Sequence, residues 1–306
     1  MTFLKIKRRT LLKGAACSLL SKPALAWFPH GNPVAAPGLK INYTNDSSNS
    51  WNSAPAAYTT ILKKVISDLC NWIADPVTLN IQVGYGTYHG SAMTGLGETD
   101  INYAGTGTYA ALLSALNAKA SEDSVKTSAY STLPGSAPGG AIVVLTSSQG
   151  AALGFSQSNP DSWHGFKTSG FDLTVLDGSA PGSGLYNLYG TQLHEITEGM
   201  GRRSLVDYYP SELMMLDLLG FSGSGTRSYS TSGTRYASWN NGATNRGTYN
   251  QSSGTGDLGD WAMSVVSPFA VDGTTGQAGN PRQQDLQMMA ALGWTLTAAG
   301  KAAAGI

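Results

Sequence analysis

Between residues 54 and 73 apolar side chains recur every three or four positions (Tyr58, Ile61, Leu62, Val65, Leu69, Trp72), which predicts an amphipathic helix. Pro55 suits its first turn, and Asp75-Pro76 stops it. Residues 77–83 alternate with period two, the pattern of a half-buried strand. A second helix fits residues 109–118, residues 134–140 read as loop, and the unbroken apolar run 141–145 predicts a buried strand. Residues 171–176 predict another strand, turned by Asp177-Gly178. The helix that follows ends near Met200 and gathers Tyr189, Leu193, Ile196 and Met200 within about 60° of one another, a core face. Segments 213–221 and 286–294 both end Leu-Gly-aromatic, so each predicts a short apolar helix whose glycine takes the left-handed cap. Residues 222–257, mostly Ser, Gly, Thr and Asn, predict irregular surface loops. The expected organisation is α+β: one domain over 27–306, with an α+β part at 27–203 and a loop-rich part at 204–306.

Composition narrows the class. Of 306 residues only 12% are charged and 38 are glycine, against roughly 25% charged in ordinary soluble domains. No uninterrupted apolar run reaches about 18 residues, which excludes a multi-span membrane protein. Aromatic and aliphatic residues along the whole length exclude disorder. The formal charge of zero hides an asymmetry, because residues 1–26 hold 6 of the 19 cations and none of the 19 acids, leaving −6 elsewhere. A chain of that sign has little attraction for nucleic acid or an anionic membrane. Basic residues 5–9, an apolar run at 11–20 and Ala24-Leu25-Ala26 have the order of an export signal cleaved before Trp27. The stretch Lys7-Arg8-Arg9-Thr10-Leu11-Leu12-Lys13 resembles a bacterial twin-arginine signal, implying a secreted or periplasmic protein. Cys17 leaves with that signal, so Cys70 has no disulfide partner and reads as core.

Of four histidines, only His194 lies in a helical context crowded with acids. His89 and His164 read as loop-capping or solvent-facing, and His30 as part of a frayed terminus. His194 and Glu198, four apart, fall within about 40° on one helix face. An imidazole and a carboxylate one turn apart can ligate one metal ion, and zinc accepts both at about 2.0–2.2 Å. Glu195, about 60° further round by the 3.6-residue period, is placed to act as general base. The spacing is that of the HExxH zinc helix with Glu198 in place of the second histidine. The extra negative charge weakens the ion's Lewis acidity, and oxygen ligands admit other divalent ions. Solvated helix faces carry the same spacing.

The run His194 to Arg202, then Tyr209-Pro210, Asp217-Leu218-Leu219-Gly220-Phe221-Ser222 and Gly225-Thr226-Arg227-Ser228, resembles exported bacterial zincin-like metalloproteases. That family carries HExxH or HExxE before a Met-Gly-Arg step and a DLFRY-like segment; this chain departs at Glu198 and at Leu219-Gly220-Phe221. The resemblance also covers residues 80–86, 145–155, 256–261 and 285–294. It implies a zincin-like fold with a mixed twisted sheet, a bound Zn²⁺ and a peptide or protein substrate. A third ligand is required. The metzincin position falls on Ser204, a poor ligand. Asp217, an acid inside an apolar run, is the leading choice because a buried carboxylate needs a cation or several donors, and by resemblance zincins use that spacing. Asp207 and Glu212 are the alternatives, and Asp217 paired with Arg202, Arg203 or Arg227 is the structural one. Residues 257–261, with Asp257 and Asp260, offer a calcium loop, but two acids without more oxygen ligands make it a weak one. The expected activity is a secreted zinc-dependent endopeptidase, with residues 141–145 as a sheet edge for the peptide and Tyr208 or Tyr209 as an oxyanion donor. The competing reading is a secreted binding protein on the same scaffold with a weak or inactive site. A glycosidase with two carboxylates on different elements is a third.

Overall fold

The computed structural model describes residues 38–104, 108–206, 211–251, 256–271 and 273–306. The predicted export signal, Asp207, Tyr208, Tyr209 and His30 therefore lie outside the described residues. The first half runs β1 (Lys40–Asn45), α1 (Ala56–Trp72), β2 (Thr78–Tyr85), the short pair β3 (Thr87–Tyr88) and β4 (Ser91–Ala92), then β5 (Gly97–Ile101) and β6 (Tyr103–Ala104). Next come α2 (Tyr109–Ala118), α3 (Ser124–Tyr130), β7 (Ile142–Thr146), α4 (Ser147–Ala152), β8 (Ser162–Phe166) and α5 (Leu188–Gly199). The remainder holds β9 (Glu212–Met214), β10 (Gly220–Gly223), β11 (Thr226–Arg227), β12 (Tyr236–Ala237), β13 (Gly247–Thr248), α6 (Gln283–Ala291) and α7 (Ala298–Ala304). The architecture is α+β.

The central sheet has the order β1-β2-β8-β5 and is mixed: β1, β2 and β8 are parallel, and β5 is antiparallel to β8 at one edge. Period-two patterning explains β2, whose Leu79, Ile81 and Val83 are buried. Helix α1 buries Tyr58, Ile61, Leu62, Val65 and Leu69, the predicted stripe except its last member, the half-buried Trp72, and packs on α5 and α7. Helix α5 lies across β5 and β8. A Cβ on Gly199 would lie 3.0 Å from His164 Cε1, so the glycine sets how closely the helix meets the sheet. His164 is buried on β8, correcting its solvent-facing assignment.

Four other expectations fail for local reasons. Strand β7 is flanked by β6 and β9, so it is no sheet edge; β5 is the edge beside α5. Residues 171–176 form no strand. Asp172 accepts from the Thr174 amide and hydroxyl and the Gly182 amide, curling the backbone into turns. Segment 213–221 is not a capped helix but β9, a single 3₁₀ stretch at Met215–Leu219 and then β10, with Gly220 at φ −86°. The glycine-rich region carries a small antiparallel sheet, β11-β10-β12-β13, over the buried Phe221, Trp239 and Tyr249. The second Leu-Gly-aromatic segment does behave as predicted: Gly293 is left-handed at φ +108°, and the Trp294 indole donates to the Met200 carbonyl at 2.8 Å.

Candidate metal centre

Helix α5 begins where Asn187 accepts from the Gly190 amide at 2.7 Å. It ends at Gly199, and Gly201 just beyond, with a φ of +105°, lets the chain reverse. Every residue of the helix but Thr191 is buried. His194, Glu195 and Glu198 are 5%, 1% and 4% exposed, so they occupy no solvated face, and buried charge demands a counter-charge.

His194 Nε2 lies 3.2 Å from Glu198 Oε1 and 3.2 Å from Asp260 Oδ1. The three ligand-capable atoms all fall within 4.8 Å of one another. On the other side of the ring, Nδ1 donates to the Pro268 carbonyl at 2.7 Å. With that proton on Nδ1, Nε2 turns a lone pair towards two carboxylate oxygens, and three acceptors face each other. A further proton or a cation must lie among them. Two bonds of about 2.05 Å at the tetrahedral angle set their donor atoms about 3.3 Å apart, which matches the two edges at Nε2. With protons alone, burial and the Arg202 charge oppose the imidazolium, but the Asp260 and Glu198 carboxylates prevail and push His194 up to about 10. Burial works to raise Glu198, yet the hydrogen bond and charge of His194 hold it below the usual carboxylate range.

Arg202 closes the anionic side. It is fully buried, with Nη1 2.8 Å from Asp260 Oδ1 and Nη2 3.8 Å from Glu198 Oε1. Its guanidinium stands 4.5 Å over the Phe269 ring, and Nη2 donates to the His194 carbonyl. Two carboxylates therefore meet one fixed positive charge, which leaves excess negative charge for an ion.

Glu195 points elsewhere, towards β5. Its Oε2 accepts from Thr99 Oγ1 at 2.6 Å, and that hydroxyl lies 3.1 Å from His164 Nδ1. Burial keeps His164 neutral by pulling its pKa down to about 3. Neutral His164, donating from Nδ1 to Thr99, leaves the single Thr99 proton for Glu195. A Cβ on Gly97 would overlap the Glu195 carboxylate, so only glycine admits it. His194 and Glu195 both line one cleft of about 220 Å³, walled by Leu96, Tyr186, Val266, Pro268, Ala270 and Val271 among others. Among the described residues, no other charged side chain lines it.

Asp217, the leading sequence choice for third ligand, is not brought to this group. Its Oδ2 accepts the amides of Leu205 and Met214, and its Oδ1 accepts from Ser204 Oγ at 2.6 Å and lies 3.4 Å from Arg235 Nη1. Four donors compensate the buried carboxylate without an ion, and its arginine is none of the three expected. Glu212 lies on β9 opposite Ile142, outside the group. Sequence reasoning missed Asp260 as the acid that joins His194 and Glu198. The signal was two acids before Trp261 in a glycine-rich stretch, read as a weak calcium loop. Neighbouring Asp257 is pushed up to about 8 by burial, against the pull of Arg203.

No protein-family model, curated protein or solved structure matches the chain.

Proposed function

We propose that this chain is an exported metal-dependent endopeptidase whose ion, zinc in the first instance, is held by His194, Glu198 and Asp260. The observation that carries the reading is the acceptor cluster around His194 Nε2, whose histidine lines the same cleft as the buried Glu195. An ion bound there would polarise a peptide carbonyl and make water more acidic. Glu195 takes the proton of the attacking water and passes it to the leaving amine. Thr99 orients the carboxylate through Oε2, and Arg202 offsets the charge of Asp260. The edge strand β5, antiparallel to β8 and packed on α5, is the candidate for pairing with an extended peptide, although Arg203 donates to its Thr99 carbonyl at 2.9 Å. The uncharged cleft walls suit a substrate with an apolar or uncharged side chain beside the bond to be cut.

The test is zinc content together with casein cleavage, with and without chelator, for the parent and Glu195→Gln. The expected result is one ion in both, chelator-sensitive cleavage by the parent, and a loss of about 10²- to 10⁴-fold in the variant. Equal cleavage by the variant overturns the role of Glu195. Two carboxylates in the ligand set, which weaken the ion as a Lewis acid, favour a second reading: a binding protein on this scaffold. Metal uptake without cleavage supports that one.

A further inference from the structure

Both nitrogens of His194 are gripped by one chain segment. Asp260 faces Nε2, and Pro268 accepts from Nδ1. The backbone already joins the two limbs once, where the Trp261 amide donates to the Phe269 carbonyl and the Val271 amide to the Trp261 carbonyl, both at 2.8 Å, and side chains add a second tie. The residue after Asp260 is Trp261, and the residue before Pro268 is Ser267. Both reach the same carboxylate. Trp261 Nε1 donates to Asp285 Oδ1 at 2.6 Å, and Ser267 Oγ donates to Asp285 Oδ2 at 2.8 Å. Asp285 is fully buried, and burial raises its pKa, so a site that keeps it must supply hydrogen bonds. Ser267 Oγ also accepts the Phe269 amide at 2.9 Å, which fixes the turn presenting Pro268 and places Phe269 beneath Arg202.

We propose that Asp285 is a positioning residue for the metal centre: by tying Trp261 to Ser267 it holds Asp260 and the Pro268 carbonyl against the two nitrogens of His194. This rests on the metal-centre reading above. The competing account is local, since Asp285 Oδ2 also accepts the Arg282 amide at 2.6 Å and so caps α6. A role confined to that cap would touch helix stability and leave the ion alone.

Cobalt separates the two, because its visible absorption reports the coordination sphere directly. The full chain is stripped with chelator and titrated with Co²⁺ in competition with a chelator of known affinity. Partners bonded directly to metal ligands are worth roughly ten- to hundredfold in affinity; Asp285 acts one step further out, so Asp285→Asn is expected to lose up to about tenfold and to shift the cobalt bands. Ser267→Ala and Trp261→Phe each cut one limb while keeping the α6 cap, and each should lose part of the same affinity. Trp261→Phe added to Asp285→Asn should cost nothing more, since both break one link. Parent affinity and spectrum in both Ser267→Ala and Trp261→Phe assign Asp285 to the cap alone and overturn the proposal. Additive losses in the double variant also overturn it. Failure of the parent to take up cobalt overturns the metal centre itself, and this role with it.

Discussion

Asp217 and Asp260 are both fully buried carboxylates beside an arginine, and their remaining partners separate their roles. Asp217 is surrounded by amides, a hydroxyl and Arg235, whereas Asp260 faces an imidazole nitrogen and the space shared with Glu198. Asp217→Asn is expected to cost about 3 kcal/mol or more in urea unfolding, the scale of a broken buried ion pair, with metal content unchanged. Asp260→Asn is expected to lose at least about tenfold in zinc affinity. Loss of zinc from the first and retention by the second would reverse the assignment. His194, Glu195 and Glu198 were legible because one helical turn sets their mutual angles whatever surrounds them. Asp260 was not, because its approach depends on a long excursion that no spacing rule encodes.

Among the elements, α1 follows its apolar period closely, since it needs only its own stripe to be defined, whereas α5 stands where expected but buries every residue except Thr191. The strand expected at 171–176 and the helix at 213–221 failed where a polar side chain, Asp172 or Asp217, captures backbone amides and redirects the chain. The meeting of α5 and β5 is a matter of clearance. Gly97 lies where any side chain would strike Glu195. Gly97→Ala is therefore expected to leave zinc content at the parent level and lower cleavage by up to about 10²-fold, the effect of displacing a reacting group by an ångström. Metal analysis beside a cleavage assay checks it; unimpaired cleavage would show that Glu195 needs no such clearance.

Across the whole molecule, the C-terminal part is built into the core. Trp294 bonds the end of α5, and the Thr295 amide donates to Asp75 at 2.6 Å, beside the Lys119–Asp75 ion pair. Among the described residues no helix is long and apolar enough to cross a membrane. Global stability should register the buried His164. Its folded pKa of about 3 lies below the ordinary 6.5, so the unfolded chain takes up a proton that the folded chain refuses. Its contribution is complete above about pH 6.5 and is lost as pH falls towards 3, by up to about 1.4 kcal/mol per pH unit. Denaturation curves at stepped pH should show that slope, and His164→Gln should remove it. An unchanged slope in the variant would place the acid sensitivity on other groups.

The chain by itself determined its α+β character, the stripe of α1, the period of β2 and the pairing of His194 with Glu198 one turn on. Those features are set by local geometry, which a residue and its near neighbours contain in full. Only the tertiary structure decided which distant acid joins the pair, that β5 rather than β7 is the edge strand beside α5, and that His164 and Asp285 are buried behind the site. Each of these depends on residues far apart in sequence being brought within a few ångströms, where burial makes an unpaired charge costly and so selects its partner.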